Sequence, residues 1–335
     1  MSEALKSAQL LELYRFMALL RTLDVRMLNL QRQGRIGFYG PTTGQEAATV
    51  GSAYALGKDD WILPALREAG AALVRGFPPR DLVAQCIGNS LDVCRGRQMP
   101  CHYSFAEGHY VSMSSNIGTQ LGHAAGVAMA MQYRKKKAAV IGYLGDGATS
   151  SNDFHAAMNF AGVYKLPIVF LCQNNGWAIS VPSAKQTASK TFAEKAVAYG
   201  IPGQRIDGND VLEVYEATKQ ALDKARKGGG PTFIEAVTYR RLGHSSSDDP
   251  SKYRPDAEVK EWERKDPIDR FRRHLESKKL WDAKKEKALL EELNAGIGRA
   301  IADAETGISP STDTLFEDVY AEVTPQLREQ RQELS

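Results

Sequence analysis

The chain has 335 residues, a formal net charge of +3 and 25% charged residues, enough length for one large core or a domain with extensions. So small a positive excess gives no electrostatic reason to bind nucleic acid. No window is long and apolar enough to span a bilayer, so no membrane role is expected.

The start, MSEALKSAQLLELYRF, has no basic region followed by an apolar core and cleavage site, and the expectation is a cytoplasmic, bacterial protein. Leu10, Leu13, Met17, Leu20 and Leu28 recur at helical spacing, predicting a docking helix that ends by position 33 with Gly34 closing it. Positions 34–44 are loop-like and carry Phe38 and Tyr39 side by side. Two such aromatics can line a substrate pocket, although residue type alone favours the core. Small residues over 45–56 predict a closely packed helix, and Pro79 opens another over 79–87. Arg67, between these helices, can pair with a helix neighbour or clamp a phosphate; the sequence leaves both open.

Positions 88–115 are irregular and long for a plain connection, which marks the stretch as mobile or functional; His102 lies in it. Cys86, Cys94, Cys101 and Cys172 form neither a disulfide scaffold nor a C-x-x-C pair and read as packing residues. A helix rich in Ala, Gly and Met is predicted over 116–131, with Ser114, Ser115, Asn116, Thr119 and Gln120 at its amino end. That polar cluster either caps the helix or offers oxygens to a cation or cofactor.

From Ala138 to Ser180 the sequence reads as strand, helix, strand. The first apolar run ends in Gly145-Asp146-Gly147 and the second in Asn174-Asn175-Gly176, and two parallel strands would bring Asp146 and Asn175 to one crevice at their carboxyl ends. Both side chains are hard oxygen ligands suited to magnesium, and the glycines let the backbone approach a phosphate. A dinucleotide fingerprint would need a third glycine near Ser150, and a plain Asp-Gly turn is the bland alternative.

Further on, 203–207 is predicted as a strand, Asp210 as the cap of an amphipathic helix, and PTFIEAVTYR as another strand. The fold expected is α/β, a mainly parallel sheet flanked by helices. Positions 240–256 read as a mobile polar surface loop, yet one that begins at a strand end, so His244 is the better catalytic candidate among the histidines. Charged helices follow from about 258. The tail carries Leu315, Phe316, Val319, Tyr320 and Val323, which either reach a partner or fold back.

Taken together, GFYGPTTGQEA, REAG, CIGN, GRQMPCHY, SSNIGTQ, GDGATSSNDFHAAMNFA, the paired asparagines, RIDGNDV, YRRLGHSSSDD and LFEDVYAEVTPQLREQ resemble the alpha subunits of the thiamine-dependent decarboxylase component of 2-oxo acid dehydrogenase complexes. GRQMPCHY and the tail favour the branched-chain members over those acting on pyruvate, with a pyruvate or acetoin dehydrogenase alpha subunit as the alternative. The resemblance implies the thiamine diphosphate-binding fold over 34–257, a docking helix over 1–33 and a helical interface extension over 258–335. It implies oxidative decarboxylation of small 2-oxo acids with transfer of the acyl group to a lipoyl acyltransferase. A separate beta subunit would complete the site in an alpha-two beta-two heterotetramer.

The same resemblance implies that Asp146, Asn175 and the Trp177 carbonyl hold Mg2+, and that Arg67, Gly145, Gly147 and Ala148 meet the diphosphate. Ser115 and Ile117 would meet the aminopyrimidine, while Ser114, Asn116, Thr119 and Gln120 would line a K+ site. His244 and His102 would stand by the reacting centre, and Phe38 and Tyr39 would shape the acyl pocket. Departures are Leu66 where the family often has Tyr, Gln173 where it often has Arg, and a single histidine at 244. Ser245 matches a regulatory phosphorylation position in mammalian members, and without a kinase partner it reads as a loop serine.

Overall fold

The computed structural model describes residues 5–334. Positions 1–4 of the expected docking helix and position 335 of the tail lie outside the described residues.

Helix α1 (Ser7–Arg32) forms as its periodicity predicts, and Gly34 follows it in the left-handed region at φ 73°. Its stripe Leu13, Met17, Leu20, Met27 is fully buried. The chain continues through α2 (Glu46–Tyr54), β1 (Trp61–Leu63), α3 (Ala69–Val74) and α4 (Pro79–Ile87), the last with proline in its first turn and Gly88 at its end. Apart from one 3-10 turn at Ala106–Gly108, no element forms before α5 (Thr119–Tyr133). That helix starts later than expected because Gly118, at φ 90°, takes the cap position; no side chain caps it, so the polar cluster at 114–116 is not a helix cap.

Strand β2 (Val140–Gly145), a 3-10 turn (Asp146–Ser150), α6 (Asn152–Tyr164) and β3 (Ile168–Asn174) make the expected strand-helix-strand unit, with β2 and β3 parallel. Ser151 starts α6 by accepting from the Phe154 N–H at 3.2 Å. A small antiparallel pair, β4 (Trp177–Ala178) and β5 (Val181–Pro182), follows. Then come β6 (Gly203–Asp207), α7 (Val211–Arg226) and β7 (Thr232–Val237); Asp210 caps α7 as predicted, accepting from Leu212 N at 3.0 Å. Helices α8 (Asp256–Glu263), α9 (Pro267–Ser277), α10 (Ala283–Ala304) and α11 (Pro325–Glu333) close the chain.

The five-stranded sheet has the order β1-β2-β3-β7-β6 with every pair parallel. Strands β2 and β3 are buried on both faces, which is why they read as continuous apolar runs, whereas the edge strand β6 buries only Ile206. Alternate residues divide between two cores: Ile141, Tyr143, Val169 and Leu171 pack in one cluster with α1, α2, α9 and α10. Val140, Leu144, Ile168 and Phe170 pack with α5 and α6 in the other. In the tail Phe316 is buried and Arg95 bonds Glu317 at 2.7 Å, while Leu315, Val319, Tyr320 and Val323 stay exposed. Among the described residues no helix is long and apolar enough to cross a membrane.

Candidate active site

With all five strands parallel, their carboxyl ends share one edge, the place where open sheets of this kind bind ligands. Arg67 follows β1, Asp146 comes directly after β2, Asn175 directly after β3, and Arg240 lies three residues beyond β7. The local chain explains each position. An apolar strand delivers the residue, and a turn or bend stops it at the edge.

Asp146 is buried, and its Oδ2 accepts from Gln186 Nε2 at 2.6 Å and Ser183 Oγ at 3.3 Å. Burial pushes its pKa up despite these bonds. Asn175 donates from Nδ2 to Gln45 Oε1 at 3.1 Å and accepts at Oδ1 from Trp177 N at 3.1 Å. The Trp177 carbonyl accepts from Arg240 Nη1 at 3.3 Å. A Cβ on Gly145 would meet nothing within 4 Å, so the backbone there borders open space. At Gly147 a Cβ would stand 2.7 Å from Ala178 Cβ, so the missing side chain also lets the turn pack on β4.

Arg67 is buried and bonds no carboxylate. Its Nη1 donates to the Pro41 carbonyl, and its Nη2 reaches His244 O at 2.8 Å and His244 Nδ1 at 3.2 Å. The helix-pairing alternative therefore fails. Burial first, and the neighbouring Arg240 second, push the Arg67 pKa down to about 10. His244 is half-buried, and burial together with Arg67 and Arg240 pushes its pKa down to about 4. It is thus neutral near pH 7. Because a guanidinium can only donate, Nδ1 accepts and the ring proton sits on Nε2.

The loop after β7 differs from the mobile surface loop expected of its composition. Arg240, Ser245 and Arg254 are buried within it. Arg254 donates to the Arg240 and Arg241 carbonyls, Arg240 Nη2 donates to Tyr253 OH at 2.7 Å, and Tyr253 OH donates to Asp248 Oδ2 at 2.5 Å. Asp248 also takes the His244 N–H at 2.6 Å. The polar residues are spent on backbone carbonyls and one another rather than on water. Ser245 Oγ bonds Ser247 Oγ at 2.9 Å.

His102 is buried; its Nδ1 bonds the Pro100 carbonyl at 3.1 Å, which leaves Nε2 as acceptor for Ser115 Oγ at 2.5 Å. Ser115, Asn116 and Ile117 are exposed, Ile117 to 67%. Thr119 opens α5, Asn116 N approaches Ser114 Oγ at 3.4 Å, and Gln120 turns inward to donate to the Tyr143 carbonyl at 2.8 Å. Tyr39 is buried with its hydroxyl on Asp24, while Phe38 is half-buried. Gln173 spends its amide on Glu68 and Thr49 within the core.

The arrangement suits an anionic ligand carrying a cation. Arg67 and Arg240 are two buried cations with no carboxylate bonded to either among the described residues, and Arg240 Nε has no partner at all. Gln45 Nε2 and Gln186 Oε1, on the side chains that hold Asn175 and Asp146, are likewise buried without partners. Buried charge and orphaned polar atoms are costly unless a ligand completes them. No three His, Cys, Asp or Glu side chains converge among the described residues, so a metal here would rely on the single carboxylate of Asp146, Asn175, a backbone carbonyl and the ligand's own oxygens. Arg240 is the functional candidate that sequence reasoning missed; its only signal was its place just past a strand.

Comparison with known proteins identifies the family. Residues 14–312 match the family model described as dehydrogenase E1 component. The chain is 43% identical over 332 residues to the 2-oxoisovalerate dehydrogenase subunit alpha, mitochondrial, of Bos taurus, covering 99% of this chain and 73% of that one. It is 43% identical to the Homo sapiens protein of the same name, covering 99% and 75%. It is also 44% identical over 328 residues to the pyruvate dehydrogenase E1 component subunit alpha of Staphylococcus aureus, covering 97% and 86%. The chain belongs to the dehydrogenase E1 component family, that of 2-oxo acid dehydrogenase E1 alpha subunits, and is related at similar identity to members named for 2-oxoisovalerate and for pyruvate.

Proposed function

We propose that this chain is the alpha subunit of a thiamine diphosphate-dependent decarboxylase that acts on branched-chain 2-oxo acids and passes the acyl group to a lipoyl acyltransferase. The observation that carries the reading is the pair of buried, anion-free arginines beside Asp146 and Asn175. A beta subunit would supply the rest of the cofactor site in an alpha-two beta-two assembly.

In this reading Asp146, Asn175 and the Trp177 carbonyl hold Mg2+, while Arg67, Arg240 and the backbone from Gly145 to Ala148 hold the diphosphate by charge and hydrogen bonds. Ser115 and Ile117 meet the aminopyrimidine, and Ser114, Asn116, Thr119 and Gln120 hold K+. The cofactor, when bound, supplies a carbon nucleophile and an electron sink for decarboxylation. His244 contributes an uncharged Nε2–H donor, kept neutral by burial and then by its two arginine neighbours, for an oxygen that gains charge. His102, held by Pro100, offers Nε2 as an acceptor once the Ser115 hydroxyl turns aside. Phe38 and Tyr39 wall the acyl end.

The GRQMPCHY segment supports the branched-chain class. Pyruvate is the second reading, favoured by the 44% identity to the Staphylococcus aureus protein. Turnover by the reconstituted alpha/beta pair on 3-methyl-2-oxobutanoate, 4-methyl-2-oxopentanoate, pyruvate and acetoin decides between them. Preference for the branched acids is expected; dominance of pyruvate or acetoin would overturn the substrate assignment.

A further inference from the structure

The buried stripe of α1 contains one charged residue, Asp24, which is fully buried where the spacing Leu13, Met17, Leu20, Met27 would place another apolar side chain. Its carboxylate accepts three hydrogen bonds from one short segment: Oδ1 from Tyr39 OH at 2.8 Å, and Oδ2 from Thr42 N and Thr43 Oγ1, each at 2.8 Å. A buried carboxylate so completely spent on one loop fixes that loop's course.

The segment in turn holds both ends of the cluster at the sheet edge. Its Pro41 carbonyl takes the Arg67 guanidinium, and Thr42 Oγ1 donates to Arg67 O at 3.2 Å. Tyr39 makes a reciprocal pair with Ser246, two residues from His244: Tyr39 N donates to Ser246 Oγ at 3.0 Å, and Ser246 N donates to Tyr39 O at 2.8 Å. Arg67 and His244 then meet each other. Asp24 is also one of the few negative charges acting on Arg67.

We propose that Asp24 is the positioning residue of the site, setting Arg67 and His244 for the diphosphate through the 39–43 segment. This rests on the thiamine diphosphate reading given above. Asp24 touches neither cofactor nor substrate. It acts by supplying a charged, three-way anchor that an apolar residue at the same stripe position would lack.

The charged and titratable groups facing Asp24 are Glu46 from α2, Arg67, and Tyr39 and Cys101 from the two loops. Burial, and then Glu46, push the Asp24 pKa up to about 6. Above that pH the anchor is ionised; below it the carboxyl resembles the amide of an Asn in its place.

The test is titration calorimetry of thiamine diphosphate with magnesium into the reconstituted alpha/beta enzyme, for wild type, Asp24→Asn, Tyr39→Phe and Ser246→Ala. At pH 7.5 Asp24→Asn is expected to bind about tenfold more weakly than wild type, and at pH 5 the two are expected to converge. Ser246→Ala is expected to bind about threefold more weakly at both pH values, because it cuts the path without touching the titrating group. Combined with Asp24→Asn it should weaken binding by less than the product of the single effects. If Asp24→Asn fails to fold, Tyr39→Phe keeps the carboxylate, removes one of its donors and carries the test at about threefold. Equal binding by wild type and these variants at pH 7.5, or a gap unchanged at pH 5, overturns the proposal alone. Absence of binding by the wild-type pair overturns the functional reading with it.

Discussion

Arg240 lies close enough to the buried Arg67 for its charge to lower the Arg67 pKa, and neither arginine bonds a carboxylate. Both guanidiniums donate to backbone carbonyls that shape the surrounding loops, but their charge stays unneutralised by any bonded carboxylate. Arg67→Met removes a desolvated buried charge but also its bonds to the Pro41 and His244 carbonyls, and the two effects are expected to offset, leaving the melting temperature within a few degrees of wild type. Thiamine diphosphate affinity, measured by calorimetry, is expected to fall by about 100-fold with the loss of charge-assisted bonds.

His244 gives a pH signature. Its folded pKa of about 4 lies below the ordinary imidazole value of 6.5, so the unfolded chain binds the extra proton over that window. Stability from this group is complete above about pH 6.5 and is lost as pH falls toward 4. His244→Asn is expected to flatten that part of the stability curve in urea titrations. A slope unchanged between pH 6.5 and 4 would contradict the assignment of a buried neutral imidazole.

Glu68 has the opposite sign. Burial pushes its pKa up to about 7 from 4.5, although it accepts from Ala65 N at 2.7 Å, from Arg67 N at 3.1 Å and from the Gln173 amide. The folded state favours the protonated acid, so stability falls as pH rises from about 4.5 through 7. Glu68→Gln, with the Gln173 amide turned over, is expected to be more stable than wild type above pH 7.5 by on the order of 2 kcal/mol. At pH 4 the two should match in chemical denaturation.

The sequence motif TTGQEA has a steric cause at Gly44. That residue sits at φ 101°, and a Cβ would lie 2.3 Å from the Tyr239 carbonyl oxygen, at the joint between the 39–43 segment and the strand leading to Arg240. Gly44→Ala is expected to cost about 2–4 kcal/mol in urea unfolding, since both backbone conformation and contact oppose it.

How much of the site could be read beforehand depended on where each residue's cause lies. Asp146 and Asn175 were legible because apolar runs ending in Gly-Asp-Gly and Asn-Asn-Gly are local signals of parallel strands and their edge. The Asp210 cap and the ends of α1 and α4 were legible for the same reason. Arg67 was ambiguous because its lack of a carboxylate partner is a tertiary fact. Arg240 was hidden in a polar string whose composition suggests solvent, whereas its burial follows from Trp177, Ile179 and Tyr253 closing over it. Asp24 left a readable sign, a carboxylate on an apolar helical stripe, but its three partners lie 15 to 19 residues on.

The most direct test of the account is whether the reconstituted alpha/beta pair binds thiamine diphosphate only with magnesium, and only with Asp146 intact. Calorimetry is expected to show saturable binding for the wild-type pair that chelation of magnesium abolishes and that Asp146→Ala weakens at least 100-fold. Magnesium-independent binding, no binding by the wild-type pair, or equal binding by Asp146→Ala would contradict the site.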